Sequence, residues 1–117
     1  MSIQNERATK IAALNDALRQ NPGTGEHGRI MMTRGVSELG IPFTTKALAL
    51  LAAFNAFTGD NDPYGEHDFG SFELEGNKLF WKIDYFETGS DYMVGAETPE
   101  NLATTERVLT MMLAEEY

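Results

Sequence analysis

The chain of 117 residues contains no cysteine. Disulfides, thiolate catalysis and cysteine-ligated zinc are therefore excluded, and a reducing interior is the natural compartment. Long apolar runs are also missing. No stretch approaches the length of a membrane span, and Met1 to Gln20 carries a polar residue in every turn where a signal peptide would be apolar. The expectation is a cytoplasmic protein with no membrane partner. Basic side chains are scarce, nine Lys/Arg against eighteen Asp/Glu for a net charge of −9. The deficit lies in the second half: up to Thr58 the balance is plus two, and from Gly59 onward it is minus eleven. A phosphate backbone is held by clustered lysine and arginine, so direct nucleic-acid binding by that half is disfavoured. An acidic half suits solubility, cations or a basic protein surface. No repeat or low-complexity tract divides the chain, and its length fits one domain, residues 1–117, able to bury a core unaided.

What is present is an acidic loop running into a β-hairpin. Two alternating, aromatic-rich runs flank Gly76-Asn77, which signals a two-residue turn. Pairing Glu75 with Lys78 places Leu74 opposite Leu79, Phe72 opposite Trp81 and Gly70 opposite Ile83. Phe72, Leu74, Leu79, Trp81 and Ile83 then share a core face, each contributing roughly 1.5–3 kcal/mol on full burial. The other face carries Ser71, Glu73, Glu75, Lys78, Phe80, Lys82 and Asp84, with Phe69 and Phe86 toward its ends. Three phenylalanines among charges call for a cover, supplied by another element or by a partner.

Elsewhere the apolar spacing predicts a helix over Ile3 to Gln20, with Ile3, Ala8, Ile11, Leu14 or Asn15, and Leu18 on its stripe and Arg19 mostly off it. Asn21-Pro22-Gly23 ends it. Gly23-Thr24-Gly25-Glu26-His27-Gly28 has the spacing G-x-G-x-x-G, yet it follows a helix and opens a strand, the reverse of a dinucleotide fingerprint. Arg29 to Arg34 reads as a strand and Gly35 to Pro42 as a connector. Thr44-Thr45 offers an N-cap to a helix over Lys46 to Thr58 that would cover the hairpin. Asp91 to Val94 reads as a third short strand after the turn Glu87 to Ser90. A last helix follows Pro99, with Leu102, Thr105, Leu109 and Met112 or Leu113 inward. The expected fold is α+β, an antiparallel sheet of about three to four strands around the hairpin, helices mainly on one face, in the order α-β-α-β-β-β-α.

The loop Asp60 to Asp68 is the densest polar cluster. Asp60, Asp62 and Gly65 stand at positions one, three and six of a calcium loop, with Glu66 a further oxygen donor. The match then fails at Tyr64, at Ser71 in place of the bidentate glutamate, and at the strand that follows. Glu66, His67, Asp68 and Asp84 are the candidates for general acid–base work, because Asp68 would point to the core side with a raised pKa while His67 points away toward Phe86. No motif links a nucleophile to either histidine. Asp68-Phe69-Gly70 matches a kinase tripeptide by chance, no other kinase signature being present. Read structurally, Asp and Asn bonding to nearby N–H groups, with Pro63 and Gly65, make the same loop a well-specified connector.

Asn61-Asp62-Pro63-Tyr64-Gly65-Glu66-His67-Asp68-Phe69-Gly70-Ser71-Phe72-Glu73, then Phe80 to Tyr85, then Arg107-Val108-Leu109-Thr110 and Leu113 to Tyr117, resemble a family of small bacterial proteins classed as a domain of unknown function. The opening Leu14 to Arg19 fits as well. The resemblance implies no activity, cofactor or catalytic residue. Its members are often encoded among plasmid and mobile-element accessory genes, which implies an anti-defence or regulatory inhibitor.

Two functions from different classes follow. The first is a non-enzymatic interaction module or inhibitor whose carboxylates mimic nucleic-acid phosphates toward a basic protein. It would use Glu73, Glu75, Asp84, Glu87 and Asp91 around Phe69, Phe80 and Phe86. The alternative is a small hydrolase or metal-dependent enzyme centred on Asp62, Glu66, His67 and Asp68, the only reading that asks for a divalent cation. Pairing of two subunits through an exposed strand edge is a third option.

Overall fold

The computed structural model describes residues 3–117, with side chains from Asn5 onward; Ile3, expected on the first helical stripe, lies outside the described side chains. The elements are α1 (Ile3–Gln20), β1 (Arg29–Met32), α2 (Arg34–Ser37), α3 (Ile41–Ala53), β2 (Phe69–Leu74), β3 (Asn77–Glu87) and β4 (Thr105–Leu113), with single 3-10 turns at Leu102–Thr104 and Ala114–Glu116. The four strands form one sheet in the order β1-β4-β3-β2. The α+β class, the central hairpin and the strand count agree with the sequence reading. Two parts of the expected architecture need correcting: β1 runs parallel to β4, so the sheet is mixed, and the last element is a strand where a helix was expected.

Helix α1 buries Ile11, Ala12, Asn15, Leu18 and Arg19, a stripe at helical spacing that includes two polar residues. Arg19 was expected off this stripe, and it is instead sealed in. Its Nη1 donates to the carbonyls of Leu51 at 2.8 Å and Phe54 at 3.0 Å, at the C-terminal end of α3, where carbonyls lack the usual i+4 partner. Helix α3 starts at Ile41, behind Gly40 and with Pro42 in its first turn, earlier than the threonine pair suggested. It also stops at Ala53, and Phe54 and Phe57 continue as non-helical chain whose rings pack edge-on against Trp81. The segment expected as a plain connector contains the short helix α2, whose Val36 is fully buried.

Leu18, Val36, Phe43, Ala47 and Leu51 meet Leu79, Trp81, Ile83, Leu109 and Met111 in one core, so the helices cover one face of the sheet. The hairpin register is Gly70 to Trp81, Phe72 to Leu79 and Leu74 to Asn77. The turn is therefore Glu75-Gly76, one residue before the expected Gly76-Asn77. Both turn residues have positive φ, 52° and 81°, as a primed two-residue turn demands. Moving the turn by one residue shifts the pairing by two, so every side chain keeps its face.

Strand β4 pairs with β3 along its whole length and buries Thr105, Arg107, Leu109 and Met111, a period of two that a helix cannot produce. Asp91 to Val94 forms no strand; this stretch holds only a turn, next to an isolated bridge between Phe86 and Gly95. Among the described residues no helix is long and apolar enough to cross a membrane.

Candidate functional site

The acidic loop is folded down onto α1. Asp62 is buried, and its Oδ1 accepts the His67 backbone N–H at 3.1 Å. His67 itself is left-handed, φ 57°, a conformation that costs a non-glycine residue energy and is held here by its contacts. The twist sends the imidazole toward α1, not toward Phe86 as expected. Nδ1 lies 2.9 Å from Asp16 Oδ1, Nε2 lies 3.7 Å from Asp62 Oδ2, and the ring stacks on Phe57 at 3.9 Å between centroids. Asp16 also takes a 2.6 Å bond from Arg19. The loop is thus clasped to α1 through one carboxylate shared by a histidine and an arginine.

A second layer lies deeper. Asn15 Nδ2 donates to the Glu66 carbonyl at 2.9 Å and to the Tyr85 hydroxyl at 2.8 Å. Tyr85 donates in turn to Glu66 Oε1 at 3.0 Å. Arg107 Nε donates to Asn15 Oδ1 at 2.7 Å, another of its nitrogens donates to the Pro99 carbonyl, and its guanidinium lies over the Tyr85 ring. Burial pushes the Tyr85 hydroxyl well above its ordinary pKa and pulls Arg107 below its own. Burial, followed by the negative charge of Glu66, also raises Asp68 above the usual carboxylate range, as its core-side position suggested.

The four acid–base candidates are therefore not one constellation. Glu66 and Asp68 sit beside Tyr85, His67 is turned to α1, and Asp84 is on the opposite face of the sheet, 2.9 Å from Lys82. No hydroxyl is bonded to His67 among the described residues. The oxygen-donor candidates are likewise dispersed: Asp60 is exposed, Asp62 holds His67, and Glu66 holds Tyr85. Among the described residues no group of three His, Asp or Glu is placed to hold a metal ion. Asn15, Arg19, Tyr85 and Arg107, which build the cluster, were not among the candidates. The available signal was an asparagine at an inward stripe position, and an arginine in phase with Thr105, Leu109 and Met111.

The helix-free face of the sheet carries the candidates for partner binding. Phe69 stacks on Phe80 at 5.5 Å, and Tyr117 lies 5.1 Å from Phe80, so the cover comes from the C-terminal turn. That turn is fixed by Glu116, which accepts from Thr33 Oγ1 at 2.6 Å, Leu113 N at 2.8 Å and Gly35 N at 3.2 Å; these bonds hold its carboxyl below the usual range. Phe86 meets Tyr92 edge-on at 5.6 Å. All three phenylalanines are half-buried and none lies under a helix. The carboxylates are less uniform than expected. Glu75 sits in the turn, its Oε2 3.4 Å from Lys46 on α3, and Asp84 is paired with Lys82, whereas Glu73, Glu87 and Asp91 are exposed and have no ion pair among the described residues.

Beyond β3 the connection to β4 exposes Tyr92, Val94, Leu102 and Met93, the last 82% exposed; the turn before Met93 has Asp91 and Tyr92 both left-handed.

No curated protein and no solved structure matches this chain. A family model described as protein of unknown function (DUF3768) matches residues 32–116. That span takes in the acidic loop, all of β2, β3 and β4, and Arg107, and it leaves α1 outside. Covering well over half of the chain, the match establishes that the protein belongs to this family of unknown function.

Proposed function

We propose that this protein is a non-enzymatic interaction module that docks onto, and inhibits, a protein with a basic surface. The observation that carries the reading is the connection between β3 and β4. Residues 88–104 contain Asp91, Glu97 and Glu100 and no lysine or arginine; Glu100 is paired with Arg7 at 2.8 Å and Arg29 lies over Tyr92, so Asp91 and Glu97 carry the open charge beside the exposed Tyr92, Met93, Val94 and Leu102. Glu87 and Glu106 extend the charge at either end of the segment. Apolar side chains of this size beside the exposed carboxylates of Asp91 and Glu97 suit a contact whose affinity comes from a few anchors and whose rate and selectivity come from the field. Phe86, in contact with Tyr92, continues the patch onto the helix-free face toward Phe80. A phosphate-mimicking inhibitor is the form of this reading that the charge favours, since the same carboxylates repel nucleic acid itself. The hydrolase alternative has no nucleophile beside its histidine: His67 meets Asp16 at 2.9 Å and Asp62 at 3.7 Å, and no hydroxyl among the described residues.

The test is affinity capture with the full chain as bait, comparing wild type with Asp91→Lys plus Glu97→Lys. Asp84 is a poorer choice because Lys82 already balances it. The expected result is a basic partner that is released by moderate salt and bound roughly tenfold less well by the double variant, a loss of about 1.4 kcal/mol. Met93→Ser should weaken the same complex without changing its salt dependence. Retention indifferent to salt and to charge reversal would sink the proposal, provided circular dichroism shows the variants folded.

A further inference from the structure

The sheet ends in two strands, β1 and β2, each with a single neighbour. Strand β1 has four residues and carries Arg29, the short, charged form in which an edge is ordinarily guarded against pairing with another chain. Strand β2 has six residues, Phe69–Leu74. It contains no lysine, no proline and no bulge, and Glu73 is its one charge.

Which groups of β2 are open follows from the ladder. The Ile83 N–H donates to the Asp68 carbonyl at 2.9 Å, two residues along from the pair Gly70 and Trp81, so the even-numbered residues of β2 direct their bonds to β3. The alternation of an antiparallel ladder then turns the N–H and C=O groups of Phe69, Ser71 and Glu73 outward. None of these groups is bonded elsewhere among the described residues.

The edge is complementary to itself. Of the antiparallel registers open to two copies, the one centred on Ser71 uses every outward group of both strands. It sets Ser71 against its own counterpart and Glu73 against the other copy's Phe69, which keeps the two glutamates apart; a register centred on Glu73 would oppose them. On the helix-covered face it sets Phe72 against Gly70, the cross-strand pairing in which an aromatic shields an edge glycine. Phe54 already leans on Gly70, where a Cβ would fall 2.7 Å from its ring, so Phe72 of the second copy meets an aromatic surface there. Leu50, 39% exposed, widens that strip. Lys46 of α3 lies beside Glu75 and Phe54, the C-cap of α3, beside Gly70; Leu50 stands between them, one turn on from Lys46 on the same side of the helix.

We propose that two copies of this chain join through their β2 edges, antiparallel about Ser71, into one continuous sheet with the helices of both copies on the same face. The contact is isologous and closes at the dimer. It is independent of the basic partner and has the opposite salt dependence: each copy carries a net charge of −9, so self-pairing tightens as salt screens the repulsion, while the acidic docking contact loosens.

The test is sedimentation velocity of the full chain over a concentration series at low and high salt, with a crosslinking arm that exploits the lack of cysteine. A monomer–dimer equilibrium strengthened by salt is expected. Ser71→Cys should oxidise readily to a disulfide dimer, since Cα atoms paired at that position lie about 5.5 Å apart. Glu73→Cys should not, its counterpart lying about 13 Å away along the strands. Ser71→Pro removes an N–H that β3 does not use and should weaken the dimer roughly tenfold; should it unfold, Ser71→Lys, which opposes like charges at the two-fold axis, serves in its place. A chain monomeric even at millimolar concentration, equal crosslinking of the two cysteine variants, assembly that continues past the dimer, or a dimer unchanged by the folded Ser71 variant would overturn the proposal. Protection of the Phe69, Ser71 and Glu73 amides from exchange only in complex with another protein would overturn it as well, by giving the edge to that partner.

Discussion

Asn15 is the residue on which the buried polar layer turns, because a single amide holds the Glu66 carbonyl, the Tyr85 hydroxyl and the Arg107 guanidinium. Asn15→Leu keeps the branched shape and removes all three bonds, leaving the Arg107 Nε buried and unpaired. The expected loss is about 3 kcal/mol, read as a lower urea midpoint at unchanged slope. Asp68 gives a prediction of opposite sign. Its folded pKa is raised by burial, so the native state binds its proton more tightly than the unfolded chain does. Its ionisation therefore lowers stability as pH rises from the unfolded value through the folded one, and below both values the penalty is absent. Asp68→Asn should raise the melting temperature at neutral pH, with the gain vanishing toward acid. A variant less stable than wild type at neutral pH would show that the carboxylate is held by bonds that outweigh its desolvation.

At the level of elements the hairpin turn invites a direct test. Glu75 occupies a left-handed position, which costs a residue of its kind about 1–2 kcal/mol, and its contact with Lys46 is an exposed pair of little value. Glu75→Asn creates the preferred Asn-Gly turn and should stabilise the protein by about 1 kcal/mol, seen as a higher thermal midpoint. The hairpin was legible in the sequence because Phe72 and Leu74 alternate with Ser71, Glu73 and Glu75, and that alternation survives an error of one residue at the turn. Strand β4 was not legible. With Arg107 at an inward position, the apolar members Leu109 and Met112, three apart, fit a helical period, although Thr104, Thr105, Val108 and Thr110 are β-branched. Arg19 misled in the same way on α1, since a charged side chain inside a core is recognisable only once its acceptors, the carbonyls closing α3, are known. The acidic loop was visible as a cluster. What it is clasped to was not, because Asp16 and His67 are 51 positions apart and nothing local connects them.

At the level of the whole molecule, the structure separates two surfaces by charge and by cover. One side of the sheet is closed by helices, and the other is left to half-buried aromatics with an acidic, apolar segment at its end. The proposed docking site falls at that same end.

The position of β4 between β1 and β3 has an outcome for assembly. Its parallel neighbour comes from the opening third of the chain and its antiparallel neighbour from the hairpin, so neither half owns a finished interior until residues 105–113 slot between them. Such distant pairings close late and slowly. A fragment of residues 1–100 should be a loose, dye-binding globule, and adding a synthetic peptide of residues 101–117 should restore near-ultraviolet dichroism at a rate set by peptide concentration. The protein can in that way be cut into a receptor and a reporter at the Glu100–Asn101 bond.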